Sequence, residues 1–285
     1  MARCQTGAEW RSTAAAIWGT AAFALSASPA VAEEATWPHE VAAVYRLSFN
    51  GFDVGTYKFI SRYNGKSYSA TGRTEISALF GAFKWTGSFA GSGAVDGGMP
   101  RPASFEMSYK TKSKLTSVKL AFNGPRVASI ALVPNKPPSP DTIKVKPENL
   151  QNVFDPISAT LAISNAKSAD ACNRTIPIFD GKARFDLRLS LKGREQLKEQ
   201  RPSGQPPELI VCRVKYVPIA GHKPKDFENP WIDYDHIEIA LRSIPSAGIY
   251  VPYRITVPST VGPAVMTADT INITAADDQQ IALRQ

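Results

Sequence analysis

The residues best suited to chemistry lie between Cys172 and Asp186, in the run CNRTIPIFDGKARFD. One cysteine, two aspartates and three basic side chains fall there within fifteen positions. Such a composition serves either a reactive site or a clamp followed by a hairpin. A second candidate is the carboxylate pair Asp233 and Asp235, which flanks Tyr234 in NPWIDYDH. A glycosidase needs two facing carboxylates, and these two could share one side of an extended segment; loop solvation is the ordinary alternative. A serine triad needs a positioned histidine. His39 lies near the start of the exported chain, His222 follows Gly221 in a loop with Pro and Lys, and His236 falls on the polar face of a strand. No nucleophile elbow, zincin helix, P-loop or paired cysteine cluster occurs.

The beginning of the chain places these residues in a compartment. Arg3 and Arg11 precede an apolar run from Thr13 to Ala27, and Ala30-Val31-Ala32 offers small residues for cleavage. This is the layout of a secretory signal peptide, cut after Ala32, and the run is too short for the ~20 residues of a membrane span. The expected location is the periplasm. Removal of residues 1–32 takes away Cys4, Arg3, Arg11 and Glu9, which lowers the formal charge of +8 by one. A basic surface in that setting fits anionic glycan, lipid head groups or an acidic protein, or serves solubility alone. Nucleic acid is not an expected partner.

Cys172 and Cys212 then remain as a lone pair. In an oxidising compartment they read as one disulfide closing about 40 residues, a constraint of roughly 4 kcal/mol in the chain-entropy treatment. A redox centre would need closer spacing, and a zinc site would need two more ligands from the scattered histidines. Neither a metal nor a cofactor is expected.

The elements that position these residues are mostly strands. Tyr45, Leu47 and Phe49 alternate with polar neighbours up to Asn50-Gly51, and the pattern resumes to Asn64-Gly65. Two such turns between alternating segments predict a meander. The stretch Phe83 to Gly98 mixes aromatic and small residues; strand-like sequence follows it, so its glycines read as bends and not as a phosphate loop. Phe105 to Lys114 reads as a strand with Lys110, Lys112 and Lys114 on one face, either meeting an anionic polymer or guarding a sheet edge. Pro134 to Pro147 is a proline-rich loop. Asp155 can cap a helix with Pro156 at its first position, which predicts one short helix near 155–166. Asp180-Gly181 turns into the strand of Phe185, Leu187, Leu189 and Leu191, and further alternation runs through Cys212 to Val217, Ile237 to Arg242, Val251 to Val257 and Val265 to Ile273. About ten to fourteen short strands without a fixed-period repeat predict an all-β sandwich or barrel. Residues 33–285 form either a single β-rich domain or two halves joined by the loop at 134–147.

In its order of features, the chain resembles the bacterial exported family catalogued as domain of unknown function 3108. The resemblance rests on VYRLSFNGFDVGTYKF (Val44 to Phe59), Asp155-Pro156-Ile157-Ser158, IPIFDGKARFDL (Ile176 to Leu187) and Val251-Pro252-Tyr253-Arg254-Ile255. It implies a Gram-negative envelope protein with a highly curved antiparallel sheet, an open barrel or β-spiral. It brings no catalytic residues with it.

A curved sheet with one apolar face can enclose a hydrophobic ligand. The aromatics Phe52, Phe80, Phe83, Trp85, Phe89 and Trp231 fall around expected turns or rims. Arg184, Arg188, Arg213 and Arg254 occupy polar parities of neighbouring strands, as an anion-reading patch or as a solvated face. The expected protein is non-enzymatic and binds a lipid, an anionic glycan or an envelope protein partner. Its ligand-binding candidates are Arg184, Arg188, Arg213, Arg254 and Trp231. The alternatives are a hydrolase of an envelope polymer and a purely structural scaffold. No membrane-spanning run occurs after residue 32.

Overall fold

Turn chemistry starts the fold. Asn50 and Gly51 both take positive φ (47° and 85°), as the tightest hairpin turns require, and Gly65 does the same at 90°. These turns join β1 (Glu40–Phe49), β2 (Phe52–Tyr63) and β3 (Ser67–Ala78), and the meander continues through β4 (Phe83–Asp96), β5 (Met99–Lys110), β6 (Leu115–Asn123) and β7 (Arg126–Val133). The structure, a computed structural model, describes residues 37–78, 83–111, 114–164, 171–199, 202–228 and 231–284. The expected signal peptide with its Ala32 cleavage point, together with Phe80 and Lys112, lies outside them.

After the proline-rich loop come α1 (Pro156–Ser164), β8 (Arg174–Phe179), β9 (Arg184–Gln196), β10 (Glu208–Ala220), β11 (Ile237–Ile244), β12 (Ile249–Val257), β13 (Ala264–Thr274) and β14 (Gln280–Arg284). The fourteen strands of the described residues belong to one antiparallel sheet that does not close. Its order is β7-β6-β5-β4-β3-β2-β1-β13-β12-β11-β10-β9-β8, with β14 also on β13.

The two meanders meet where β1 runs the full length of β13, from Glu40 opposite Thr274 to Phe49 opposite Ala264. β13 divides its other edge. Ala264–Thr267 pairs with β12, whereas Thr270–Thr274 pairs with β14. At the division the register shifts and leaves out Asp269, whose carboxylate accepts from Arg46 at 3.1 Å. Such a bulge bends the sheet and increases its coiling.

At the far ends of the strand order, β7 and β8 do not pair. The segment 151–154 crosses this seam, since Gln151 bridges Arg126 of β7 and Phe154 bridges Ile178 of β8. The curled sheet surrounds α1, in which Ile157, Ser158, Ala159, Leu161, Ala162 and Ile163 are all buried. A nine-residue helix apolar on nearly every side is stable only inside such a wrapping. One buried cluster joins α1 to strands of both meanders, from Val41 and Phe105 to Val211 and Ile271, and a second surrounds the cysteines with Ile176, Leu189, Ile239 and Leu241.

Two expectations need correction. The lysine-faced strand stops at Lys110, because the Thr111 N–H turns back to the Lys114 carbonyl at 3.0 Å. Among the described residues, Lys110 and Lys114 therefore form no stripe on a sheet edge; β5 is an interior strand, and β7 ends the order on that side. Arg242, assigned by alternation to the polar face, is only 1% exposed. Its neighbours Ala240 and Leu241 are buried as well, so both faces of β11 meet packed structure there and alternation marks neither as the solvent face.

Candidate functional site

Because α1 has an unpartnered line, the interior is not completely filled. Pro156, Thr160 and Ser164, four residues apart, are its only partly exposed positions, and that spacing puts them in one row. The row forms the floor of two clefts of about 110 and 260 Å³, which share Tyr57, Thr160 and Met266 in their linings. Together they make a groove along a helix about 12 Å long. One wall comes from β1 and β2, with Tyr45, Tyr57 and Phe59, and the opposite wall from β12, with Ile249, Val251 and Ile255. Trp37 and Arg62 stand at one end, and Leu47 and Phe89 at the other.

Sequence places these rings where the backbone can receive them. Tyr45 and Tyr57 face each other across the β1–β2 ladder and stack at 5.9 Å, while Tyr57 meets Phe89 edge-on at 6.4 Å. The Tyr57 ring lies over Gly72 of β3, where a Cβ would stand 2.7 Å from the phenol oxygen. Gly91 of β4 likewise admits α1, since a Cβ there would stand 3.1 Å from Ile157. Burial pushes the Tyr57 phenol up to about 12 and raises Tyr45 further still. Both are neutral over any physiological range, so the walls offer hydroxyl dipoles and no charge.

Three devices hold α1 in place. Asp155 is fully buried and caps the helix, accepting from the N–H groups of Ile157 and Ser158 at 2.9 and 3.0 Å. Its second oxygen accepts the Ser158 hydroxyl, and Ser158 in turn accepts from Tyr68 at 2.6 Å. Burial raises the Asp155 carboxyl, and these hydrogen bonds only partly oppose it. At the other end the Arg174 guanidinium donates to the Ile163 carbonyl at 2.8 Å, where a cation suits the helix dipole. Burial lowers the Arg174 pKa. The third device is the Cys172–Cys212 disulfide, which ties the approach to β8 onto β10.

Most of the run CNRTIPIFDGKARFD thus holds the fold together. Cys172 clamps, Arg174 caps, and Ile176, Ile178 and Phe179 pack. Asp180 holds the turn by accepting from Lys182 and Ala183 at 2.8 and 2.7 Å, with Gly181 at φ 98°. Arg184 is half-buried and bound to Asp186 at 2.6 Å.

The other arginine candidates do not converge on the groove. Arg254 carries Glu195 at 2.6 Å, while Arg188 and Arg213 stand exposed on the outer face, opposite Lys215 and Glu238 in the ladders. Trp231 is 59% exposed beside Val261 on the adjoining loop, where Thr260 N–H donates to the Trp231 carbonyl. Phe52 is also exposed, whereas Trp85 stacks on Tyr109 at 5.9 Å. Asp233 and Asp235 have separate exposed partners, His236 at 2.8 Å and Lys215 at 2.9 Å. The His236 hydrogen bond holds the Asp233 carboxyl below its usual range. His39 pairs with Asp278 at 3.3 Å, and His222 packs edge-on against Phe227.

Sequence reasoning missed the groove residues Tyr45, Tyr57, Thr160 and Met266. The available signal was the four-residue spacing of Pro156, Thr160 and Ser164 on an otherwise apolar helix.

Sheet and groove together define an open, barrel-like β-protein wrapped around one buried helix, with an uncharged aromatic groove inside it. The chain belongs to the family described as Protein of unknown function (DUF3108), which matches residues 44–269. Among solved structures it is similar to a beta-barrel-like protein of domain of unknown function DUF1849 from Brucella abortus. The two are 11% identical with a TM-score of 0.47, over 83% of this chain and 98% of that one. No curated protein matches the chain. Among the described residues, no helix is long and apolar enough to cross a membrane.

Proposed function

We propose that this is a non-catalytic binding protein of the cell envelope that takes the apolar chain of an envelope amphiphile into the groove beside α1. The groove is the carrying observation: it is elongated and lined by aliphatic side chains and uncharged tyrosines. At one end Arg62, ion-paired with Glu40 at 2.7 Å, gives the groove a polar mouth that suits a polar head group left outside. The groove's two clefts, of about 110 and 260 Å³, put it at the lower end of the roughly 300–1,000 Å³ usual for ligand pockets, and the elongated shape suits one extended chain. The disulfide is compatible with an oxidising compartment.

Native mass spectrometry of gently purified protein tests the reading, together with uptake of a fluorescent fatty acid. The expected result is a lipid adduct and saturable probe binding. Thr160→Trp, which fills the centre of the groove, should abolish both without changing the far-ultraviolet circular dichroism. An adduct-free spectrum with no probe uptake would overturn the proposal. It would leave the scaffold reading, which the filling of most of the interior by α1 favours.

A further inference from the structure

The upper part of the seam holds a second site of different chemistry. The segment 151–154 bridges β7 and β8 only at one end. Towards the Val133 end of β7 the gap is crossed instead by the loop 134–145, pinned where Gly221 N–H donates to the Ile143 carbonyl at 2.7 Å and Ile143 N–H to His222 at 2.9 Å. Under this strap lies a cleft of about 630 Å³. Leu132, Pro134 and Val145 supply its apolar surface, and Lys136, Lys144 and Lys182 its charge.

The lining holds three lysines and no carboxylate. Among the described residues none of the three makes an ion pair; the strap's own acid, Asp141, is engaged by Lys223 and Lys225 at 3.2 and 3.5 Å. Cations gathered around an apolar cleft without counter-charge are complementary to an anion that carries apolar surface. Among the described residues, three of the eight exposed large apolar side chains belong to the same end of the sheet: Leu115 (61%), Val133 (53%) and Ile143 (40%). Exposed apolar residues beside lysines are the pattern of a surface that meets anionic lipid.

We infer that the seam cleft binds the phosphate-bearing head group of an anionic lipid at a bilayer surface, with Leu115, Val133 and Ile143 entering the interface. Lys136, Lys144 and Lys182 surround the phosphate from the strap and the β8–β9 turn. That turn is fixed because Gly181 packs directly on Val118 of β6, leaving no room for a Cβ (2.2 Å). The site is built from elements other than those of the groove, so either can fail alone.

Co-sedimentation of the purified protein with vesicles tests this inference. Binding is expected to vesicles of phosphatidylcholine containing phosphatidylglycerol and not to phosphatidylcholine alone, and to fall at about 1 M salt. Each lysine near an anionic surface contributes about fivefold, so the triple substitution Lys136→Gln, Lys144→Gln and Lys182→Gln should lower partitioning roughly 100-fold. Removing the same charge through Lys58→Gln, Lys66→Gln and Lys198→Gln should leave it nearly unchanged. Equal losses in the two triple variants would overturn the inference, as would equal binding to neutral vesicles. Binding of inorganic phosphate without vesicle binding would also overturn it, because the site would then serve a free anion. Thr160→Trp should leave vesicle binding intact, which separates this result from the fate of the groove.

Discussion

In the β1–β7 meander the interior is held by rings lying on rings and on glycine backbone, as at Tyr45, Tyr57 and Phe89 over Gly72. The β8–β13 half instead carries a disulfide and a buried ion pair, in which Arg242 on β11 is held by Glu199 and by Ser203 at 2.8 Å. Aromatic contacts are broad and directionally tolerant, whereas covalent and charged links allow one geometry. Both halves line the groove and both touch α1. The covalent and charged anchors, the disulfide and Arg174, come from the second, while the first holds the helix through Tyr68 on Ser158 and through close packing at Gly91. Covalent and charged anchorage is thus concentrated in the second meander and aromatic packing in the first.

Substitutions should rank the halves in that order. Replacing Cys172 and Cys212 by Ser removes the constraint on a separation of 40 residues and should lower stability by about 4 kcal/mol in denaturant titrations. Arg242→Ala leaves Glu199 half-desolvated without its cation and should cost about 3 kcal/mol. Arg242→Met combined with Glu199→Gln should recover part of that loss, as a double-mutant cycle would show. Asp155→Ala removes the cap and strands the Ser158 and Tyr68 hydroxyls, a loss of about 2 kcal/mol; Asp155→Asn should cost less. In the first half, Gly72→Ala must displace the Tyr57 ring and should cost only about 1 kcal/mol, while reducing probe uptake by the groove. A larger loss at Gly72 than at Arg242 would break the comparison.

The smallest effects are those of pH, and their signs differ between sites. The folded Asp155 carboxyl titrates above its unfolded value. Its contribution is therefore complete below about pH 3.9 and is lost as pH rises through the folded pKa. Glu199 behaves oppositely. Burial would raise it, but Arg242 and Ser203 outweigh that and lower it, so its contribution is present at neutral pH and lost as pH falls. Asp155→Asn should remove the first dependence and Glu199→Gln the second in melts from pH 3 to 8. In alkali, Tyr57 moves from 10.0 to about 12 and Tyr45, Tyr68 and Tyr216 move further, so stability should decline as pH rises above 10.

What the sequence disclosed was local. Asn50-Gly51 and Asp180-Gly181 announce their turns because few residues tolerate positive φ, and Asp155-Pro156 announces a helix start. The cysteine pairing was legible because only one pairing remained. The groove was hidden because Tyr45, Thr160 and Val251 meet only after the chain has curled, and no periodicity records that. Arg242 was hidden because both faces of β11 are covered, so alternation along the strand does not tell a solvent face from a packed one. Lys136, Lys144 and Lys182 were passed over because the cleft they share exists only where two strands fail to pair.

The long ladder between β1 and β13 also has a consequence for timing. During synthesis, β2 through β7 can each join the strand just made, yet the other edge of β1 has no partner until Ala264–Thr274 emerges. For most of the chain's growth, an alternating strand with Val41, Ala43 and Tyr45 on its core face presents an open edge. Such an edge invites pairing with other chains. Completion of this fold therefore depends on its last strands, and a chain that stops before residue 264 should aggregate through β1.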